Sequence, residues 1–450
     1  MKKGDSIRIN IQGLTPDGSG FTEIEGRTVV VNGTLPGDEV DIRIMRLKRY
    51  SAVGSLESIV TAGVRRIDVK CPHFFQCGGC RWQDVPYDVQ CSLKTQLVRE
   101  ALAAVGCNEM AEDIKIIPSP GVFYYRNKME FSFDKPPGCK TAQLGLHEYG
   151  RYDRVFDITD CYLQSELSNK VVSISRRYAL EQGLSVYGLK SHTGLLRFLM
   201  VRDGKTTGGL MVNLVTSGEE FEQKEKFCHR LMSELPSITT VIRSINRGSG
   251  STSVSEEREI LFGYGTLRER VGNFYFTISP DSFFQPNTFQ TKNLYDTIAE
   301  FCGLSGTEHL LDLYCGTGTI GIYLADRARK VTGIEVVEDA IRDAQSNAEI
   351  NEVDNITFTA GRVEKLIHET MGTFDVVVCD PPRSGIHPKV MHHLVRMRIP
   401  RMVYVSCNVR VLPRDLEILM MAGYRIEQVR VFDMAPHTPH VETVILLKIG

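Results

Sequence analysis

The stretch LLDLYCGTGTIGI, residues 310–322, reads as an apolar strand that runs into a glycine-rich turn and then into a helix. Glycines in such a turn let the backbone approach a ligand closely, and Glu335 closes the next apolar run, KVTGIEV, where a carboxylate can bind two ribose hydroxyls. A turn of this kind also serves as a plain helix entrance, so its weight comes from the coupling to Glu335. The pair predicts a site for a nucleoside-containing cofactor.

The same pattern extends through the last third of the chain. From about residue 290, apolar runs HLLDLYC, KVTGIEV, ITFTA, FDVVVCD, MVYVSC, RIEQVRVF and ETVILLKI alternate with helical segments. Near-continuous apolar strands separated by helices predict an α/β domain with a parallel sheet covered on both faces. No helix separates the last two runs, so the seventh strand is expected to return antiparallel. Ligands of such open sheets bind beyond the carboxyl ends of the strands.

Three further residues fall at that edge. Asp380 ends the fourth strand in CDPPRSG, and Pro381 and Pro382 stiffen the loop that follows. Together with CGTGTIG this favours S-adenosylmethionine over a dinucleotide, and a methyltransferase over a dehydrogenase. Cys407, in RMVYVSCNVRVLPRD (401–415), stands where the apolar run Met402–Val405 stops, as an exposed strand-end residue would. Glu442 opens the seventh strand in MAPHTPHVETVILL, and an antiparallel strand begins where its parallel neighbours end.

A sulfur nucleophile is unnecessary for methylating oxygen or nitrogen, which already carry a lone pair. C5 of uracil is a poor nucleophile until a thiolate adds across C6, and covalent catalysis of this sort divides one difficult step into easier ones. A base must then remove the C5 proton; Glu442 is the candidate, with His437 and His440 as rivals. A free thiol has a pKa near about 8.5 and needs a local cation to act efficiently. Arg383, Arg410 and Arg414 are the cations near in sequence, and the sequence does not choose among them.

The amino-terminal two thirds read differently. Residues 1–58 carry short alternating runs, among them SIRINIQGL, RTVVVNG, DEVDIRIMRL and SAVGSLESIV, which predict a small antiparallel OB-like barrel. Such barrels bind single-stranded nucleic acid through a basic groove, for which Arg43, Arg46, Lys48 and Arg49 are available. Residues 59–285 read as a central α+β domain and 286–450 as the cofactor domain. The net charge of −2 gives no global sign of nucleic-acid binding, so that case rests on local patches.

Twelve cysteines are spread along the chain and concentrate only at CPHFFQCGGC. Cys71, Cys77 and Cys80, spaced C-x5-C-x2-C, can converge on a metal centre, with Cys91, Cys107, Cys139 or Cys161 as the fourth ligand. The spacing leaves zinc and iron–sulfur equally open. It lacks the C-x3-C-x2-C pattern of radical enzymes that leave one iron free. With no apolar run of about 18 residues and no charged-then-apolar leader, a cytoplasmic, non-membrane protein is expected.

SFFQPN, DLYCGTGTIG, DPPRSG, SCN…RD and HVETV together resemble the S-adenosylmethionine-dependent RNA uracil-5-methyltransferases, which act on 23S ribosomal RNA or the tRNA T-loop. The resemblance covers essentially the whole chain. It implies a Rossmann-like class I methyltransferase domain, an amino-terminal TRAM barrel and an iron–sulfur segment. It also implies Cys407 as nucleophile, Glu442 as proton acceptor, and Gln285, Tyr314, Glu335 and Asp380 around the methyl donor. Gln285 is assigned by the resemblance alone. Some members carry asparagine where this chain has Thr319, and no cofactor role passes to that position. Cys161 becomes the fourth ligand of a [4Fe-4S] cluster with Cys71, Cys77 and Cys80. The RNA expected is 23S ribosomal RNA, with tRNA uridine-54 as the alternative. A non-catalytic RNA-binding assembly factor and an amino-methyltransferase are the competing classes; neither needs Cys407.

Overall fold

The computed structural model describes residues 1–136, 141–367 and 373–450. Cys139, one of the candidate fourth ligands, lies outside the described residues.

The first sheet has six strands, Ser6–Asn10, Gly13–Leu14, Gly20–Ile24, Arg27–Val31, Glu39–Leu47 and Ser51–Thr61. Alternation along Glu39–Leu47 sends Val40, Ile42 and Ile44 inward against Val29 and Val31, a small core in which each fully buried side chain contributes about 1.5–3 kcal/mol. Neighbouring strands are antiparallel at every pairing but one: Arg27–Val31 lies parallel to Ser51–Thr61, which departs from the all-antiparallel expectation. Of the four cations assigned to a basic groove, Arg43 is taken by Glu57 at 2.7 Å. Arg46, Lys48 and Arg49 are exposed, with Arg49 5.0 Å from the centre of the Tyr50 ring.

The second sheet has seven strands, in the order Arg151–Asp157, Gln143–Glu148, Lys128–Asp134, Leu196–Asp203, Leu210–Thr216, Ile238–Ile245, Glu257–Phe262. Helices Glu166–Glu181 and Lys224–Glu234 bury Val171, Val172, Phe227 and Leu231 in the same core as Phe131, Leu199 and Val212. The first of these helices starts where it does because the Ser165 side chain accepts from the Ser168 N–H, one of the donors a helix start leaves free.

The third sheet contains all seven apolar runs, as Ile356–Ala360, Lys330–Glu335, His309–Leu313, Val376–Cys379, Arg401–Ser406, Glu442–Ile449 and Tyr424–Phe432 in spatial order. The first five are parallel, and Glu442–Ile449 is antiparallel to both of its neighbours, as the missing helix predicts. An eighth strand was not expected: Ile116–Ile117 pairs with Val431–Phe432. Helix Tyr87–Ala103 also buries Leu97, Val98 and Leu102 in the core that holds Leu412, Leu416 and Leu447. The first part of residues 59–285 thus packs with the third sheet. Alternating short runs report local structure, and the partner that a lone helix covers is set by tertiary packing.

Candidate active site at the carboxyl edge of the third sheet

Tyr314, Glu335, Asp380, Cys407 and Glu442 are each positioned by the end of a strand, whereas Gln285 lies in the loop before helix Thr288–Cys302. After His309–Leu313 the chain turns through Tyr314, Gly316 and Gly318 at φ 63°, 55° and 75° before helix Thr319–Leu324 begins. A left-handed tyrosine is uncommon and strained. Gly318 has no substitute, because a Cβ there would lie 2.6 Å from Phe358 and 3.0 Å from Ala344.

Glu335, at the end of Lys330–Glu335, is fixed by three backbone donors. Its Oε2 accepts from Gly316 N at 3.2 Å, and its Oε1 from Val336 N and Val337 N at 2.7 and 2.9 Å. The carboxylate thus braces the glycine turn and retains lone pairs for a ligand.

Gln285 is buried, with Nε2 donating to Asp380 Oδ2 at 3.4 Å. Its backbone is held from the second sheet: Asn127 Nδ2 donates to Gln285 O at 2.7 Å, and the buried Arg202 guanidinium donates to the carbonyls of Pro280 and Ser282 just upstream. Burial raises the Asp380 carboxyl to about 7.

The antiparallel pairing of Ser406 with Thr443 makes Cys407 and Glu442 the next opposed positions along the two chains. Burial, then the Glu442 and Asp380 charges, push the Cys407 thiol up to about 12, while Arg383 pulls it down. Glu442 is 6% exposed, and its Oε1 has no hydrogen-bond partner among the described residues. Burial and Asp380 hold its carboxyl well above the ordinary range, again opposed by Arg383. Of the three cations near in sequence, Arg383 is therefore the one that acts on both groups. Arg414 is committed to Asp415 and to Ser384 O, and Arg410 does not line the cavity. The Asn408 side chain donates to Arg383 O at 2.8 Å, tying the turn after the cysteine to the proline loop.

The structure brings Gln285, Tyr314, Glu335, Asp380, Cys407 and Glu442 to one cavity of about 840 Å³, within the range of small-molecule sites. The rival bases separate. His437 is turned away into a contact with Gln90 and the Phe123 ring, whereas His440 lines the cavity. Burial lowers both imidazoles to about 4, so each is neutral at physiological pH. Thr319 bonds the Tyr295 hydroxyl and does not line the cavity.

Among the contributors to the walls that sequence reasoning missed are Arg126, Phe283, and the backbone of Gly78 and Gly79. Phe283, two residues before Gln285 and 64% exposed, was the one with a local signal.

A second cavity, of about 350 Å³, is lined by Cys71, Cys77, Cys80 and Cys161 together. Burial raises all four thiols, Cys77 to about 11. Cys91 and Cys107 lie elsewhere, on or beside helix Tyr87–Ala103. Among the described residues no group of three or more His, Cys, Asp or Glu side chains is drawn tightly enough around one point to hold a metal ion. Gly78, Gly79 and Arg126 line both cavities.

Comparison with known proteins gives consistent results. Residues 205–449 match the family described as tRNA (uracil-5-)-methyltransferase, and residues 1–56 match the TRAM domain. An uncharacterized RNA methyltransferase of Caldanaerobacter subterraneus is 37% identical over 100% of both chains. Another, from Chlorobaculum tepidum, is 36% identical over 98% of this chain and 96% of its own. Among solved structures, the Pyrococcus abyssi tRNA (uracil-54, C5)-methyltransferase in complex with S-adenosyl-L-homocysteine is 30% identical. It superposes with a TM-score of 0.78 over 98% of this chain and 100% of its own. A glycine turn braced by a carboxylate, a proline-stiffened aspartate and a cysteine opposite a glutamate thus coincide with a family match over more than half the chain. The chain belongs to the S-adenosylmethionine-dependent tRNA (uracil-5-)-methyltransferase family, with a TRAM domain at its amino-terminal end.

Proposed function

We propose that the protein methylates C5 of a uridine in RNA through a covalent bond between Cys407 and C6. The observation that carries this reading is the opposition of Cys407 and Glu442 at the cavity that Asp380 also lines. S-adenosylmethionine supplies an electrophilic methyl group on a sulfonium. Tyr314, Glu335, Gln285 and Asp380, which line the cavity, would hold it, Glu335 at the ribose hydroxyls and Asp380 by its charge against the cationic donor. The unpartnered Glu442 Oε1 and the three-donor brace of Glu335 fit a cavity that takes a polar ligand.

The reaction starts from the Cys407 thiolate, its proton having gone to solvent. The sulfur pair forms the S–C6 bond, the C5=C6 pair moves onto C5 and O4, and C5 takes the methyl group. Glu442 then accepts the C5 proton, the C5=C6 double bond re-forms and the S–C6 bond breaks, returning the thiolate. Arg383 favours the charged states of both residues. Glu442 loses its proton to solvent, so the net products are the methylated uridine, the demethylated cofactor and one proton.

The RNA is the finer part of the proposal. TRAM and the cysteine segment pointed to 23S ribosomal RNA. The full-length likeness to an enzyme named for tRNA uracil-54 removes their power to discriminate and supports the tRNA T-loop equally well. The N-terminal sheet, with Arg46, Lys48 and Arg49 exposed, is read as the OB-like RNA-docking module.

We further read the second cavity as the site of a [4Fe-4S] cluster. A single zinc ion needs its sulfurs about 2.3 Å from one point, whereas a cluster spreads four cysteines around a larger volume. Four cysteines on one cavity of about 350 Å³ fit the latter. Cys71, Cys77, Cys80 and Cys161 would hold the cluster, which supplies a cross-link between the 71–80 loop and the second sheet.

The test uses Glu442→Gln protein with S-adenosylmethionine and unmodified 23S and tRNA transcripts, analysed on a denaturing gel beside Cys407→Ala. A slow-migrating protein–RNA band that requires Cys407 is expected with one of the two RNAs. Absence of any band, with an RNA that the wild-type protein does methylate, would overturn the covalent mechanism.

A further inference from the structure

We infer that helix Tyr87–Ala103 acts as a clamp that positions Glu442 through two buried polar residues, Gln90 and Lys94, one helical turn apart. The inference rests on the proposed role of Glu442 as proton acceptor.

The helix buries Leu93, Leu97, Val98, Ala101 and Leu102, and for packing alone its buried face would be apolar throughout. Instead Gln90 and Lys94 are 0% exposed. Lys94 Nζ donates to Asp433 Oδ1 at 2.5 Å and to Ala435 O at 3.0 Å, and the ion pair is fully buried on both sides. Gln90 accepts from His437 N at 2.8 Å and meets the His437 ring at 3.2 Å. Its Nε2 also donates to the carbonyls of Trp82 and Val85 at 2.8 and 2.9 Å.

Apart from the two Gln90 bonds to Trp82 and Val85, these bonds go to one segment, the connection from Tyr424–Phe432 to Glu442–Ile449. Further bonds hold the segment: Tyr125 Oη donates to Pro436 O at 3.1 Å, and Arg81 N and Trp82 N donate to His437 O at 2.9 and 3.1 Å. His437 is thereby fixed at φ 67°, a conformation that costs energy in a non-glycine residue. Met434, Ala435, Thr438, His440, Val441 and Glu442 of this segment line the reaction cavity. The clamp touches none of the reacting atoms, so Gln90 and Lys94 are positioning residues.

A buried ion pair is a poor means of stabilising a fold, because desolvating both charges offsets most of their attraction, and apolar replacements of similar volume are often neutral or stabilising. What the pair supplies is direction: it admits one register of the loop. Glu442 must reach the C5 proton only after methyl transfer, and a displacement of about 1 Å costs roughly a hundredfold in rate.

The experiment compares wild type, Lys94→Met/Asp433→Leu, Gln90→Met and Glu442→Gln in single-turnover reactions with whichever unmodified transcript, 23S or tRNA, the wild type methylates. Thermal melting, the KM for S-adenosylmethionine and the decay of the denaturation-resistant adduct are followed. The expected result is melting close to wild type and an unchanged KM, with adduct decay slowed roughly ten- to a hundredfold in both clamp variants. Wild-type adduct decay in a folded clamp variant overturns the inference. So does failure of both variants to fold, which would assign these bonds to the fold alone. If Glu442→Gln itself accumulates no adduct, the base assignment has failed, and that result is distinct from a failure of the clamp.

Discussion

Cys407 and Glu442 stand opposite each other across an antiparallel strand pair, although 34 residues of sequence, including a complete helix and a strand, lie between them. Pairing Ser406 with Thr443 leaves the following position on one strand beside the preceding position on the other. A one-residue slip of the last strand would turn Glu442 to the other face of the sheet and leave the thiol without a neighbouring carboxylate.

Arg383 is the cation acting on both groups, and its removal leaves the thiol and the carboxyl harder to ionise. Arg383→Gln is expected to lower the single-turnover rate about tenfold near neutral pH and to move the rising limb of its pH profile to higher pH. Arg383→Lys restores part of the rate. An unchanged profile in Arg383→Gln would assign activation of Cys407 elsewhere.

Asp380 provides a pH dependence whose sign follows from burial. Its folded-state pKa of about 7 lies above the ordinary carboxyl value, so the folded protein binds more protons than the unfolded chain between those limits. Stability contributed by this group is present at low pH and lost as pH rises through about 7. Asp380→Asn is expected to raise the melting temperature of the ligand-free protein at pH 8 by about 2–4 °C. It also abolishes the stabilisation that S-adenosylmethionine gives the wild type. In the wild type, affinity for the cationic cofactor should fall as pH drops below about 7.

Glu335 accepts three backbone hydrogen bonds and is read as the acceptor for the cofactor ribose. Glu335→Gln turns one acceptor into a donor facing backbone N–H groups. The KM for S-adenosylmethionine is expected to rise roughly ten- to a hundredfold, the cost of about 1.5–3 kcal/mol for hydrogen bonds to a charged group, with a smaller change in kcat. A fall in kcat at constant KM would contradict the assignment.

Anaerobically purified protein is expected to carry iron and sulfide and a broad visible absorption. Cys161→Ser loses them, as do Cys71→Ser, Cys77→Ser and Cys80→Ser, whereas Cys91→Ser and Cys107→Ser keep them. One zinc per chain and no iron would replace the cluster by a structural ion.

The sequence made the seven strands of the last sheet readable because each is a compact apolar run, and several carry a candidate site residue at one end. Glu335, Asp380, Cys407 and Glu442 could be found by that rule, and the antiparallel return followed from a missing helix. Ile116–Ile117 could not be found: two residues carry no periodicity, and their pairing is fixed by tertiary contact. Gly20–Ile24 was hidden between glycine turns. Gln285 is held by Asn127, which reaches its carbonyl, and by Arg202, which reaches Pro280 and Ser282 just upstream, so its neighbours in sequence say nothing of its role. Arg126 and the Gly78–Gly79 backbone enter the cavity for the same reason. His437 and His440 looked equivalent in PHTPH, and only the packing of Gln90 and Phe123 separates them.

Gly78 and Gly79 form part of the reaction cavity with main-chain atoms, since neither has a side chain to offer. On the proposed function, a nucleotide against that wall meets main-chain amides and carbonyls that lie between Cys77 and Cys80 in sequence. The space there is open: beyond its chain neighbours, a Cβ at Gly78 would come no nearer than 3.6 Å to another atom and one at Gly79 no nearer than 3.4 Å, so a side chain at either position would reshape the wall. If the proposed function holds, the fit of the RNA can therefore be altered from the cysteine loop while the side chains of Asp380, Cys407 and Glu442 stay untouched.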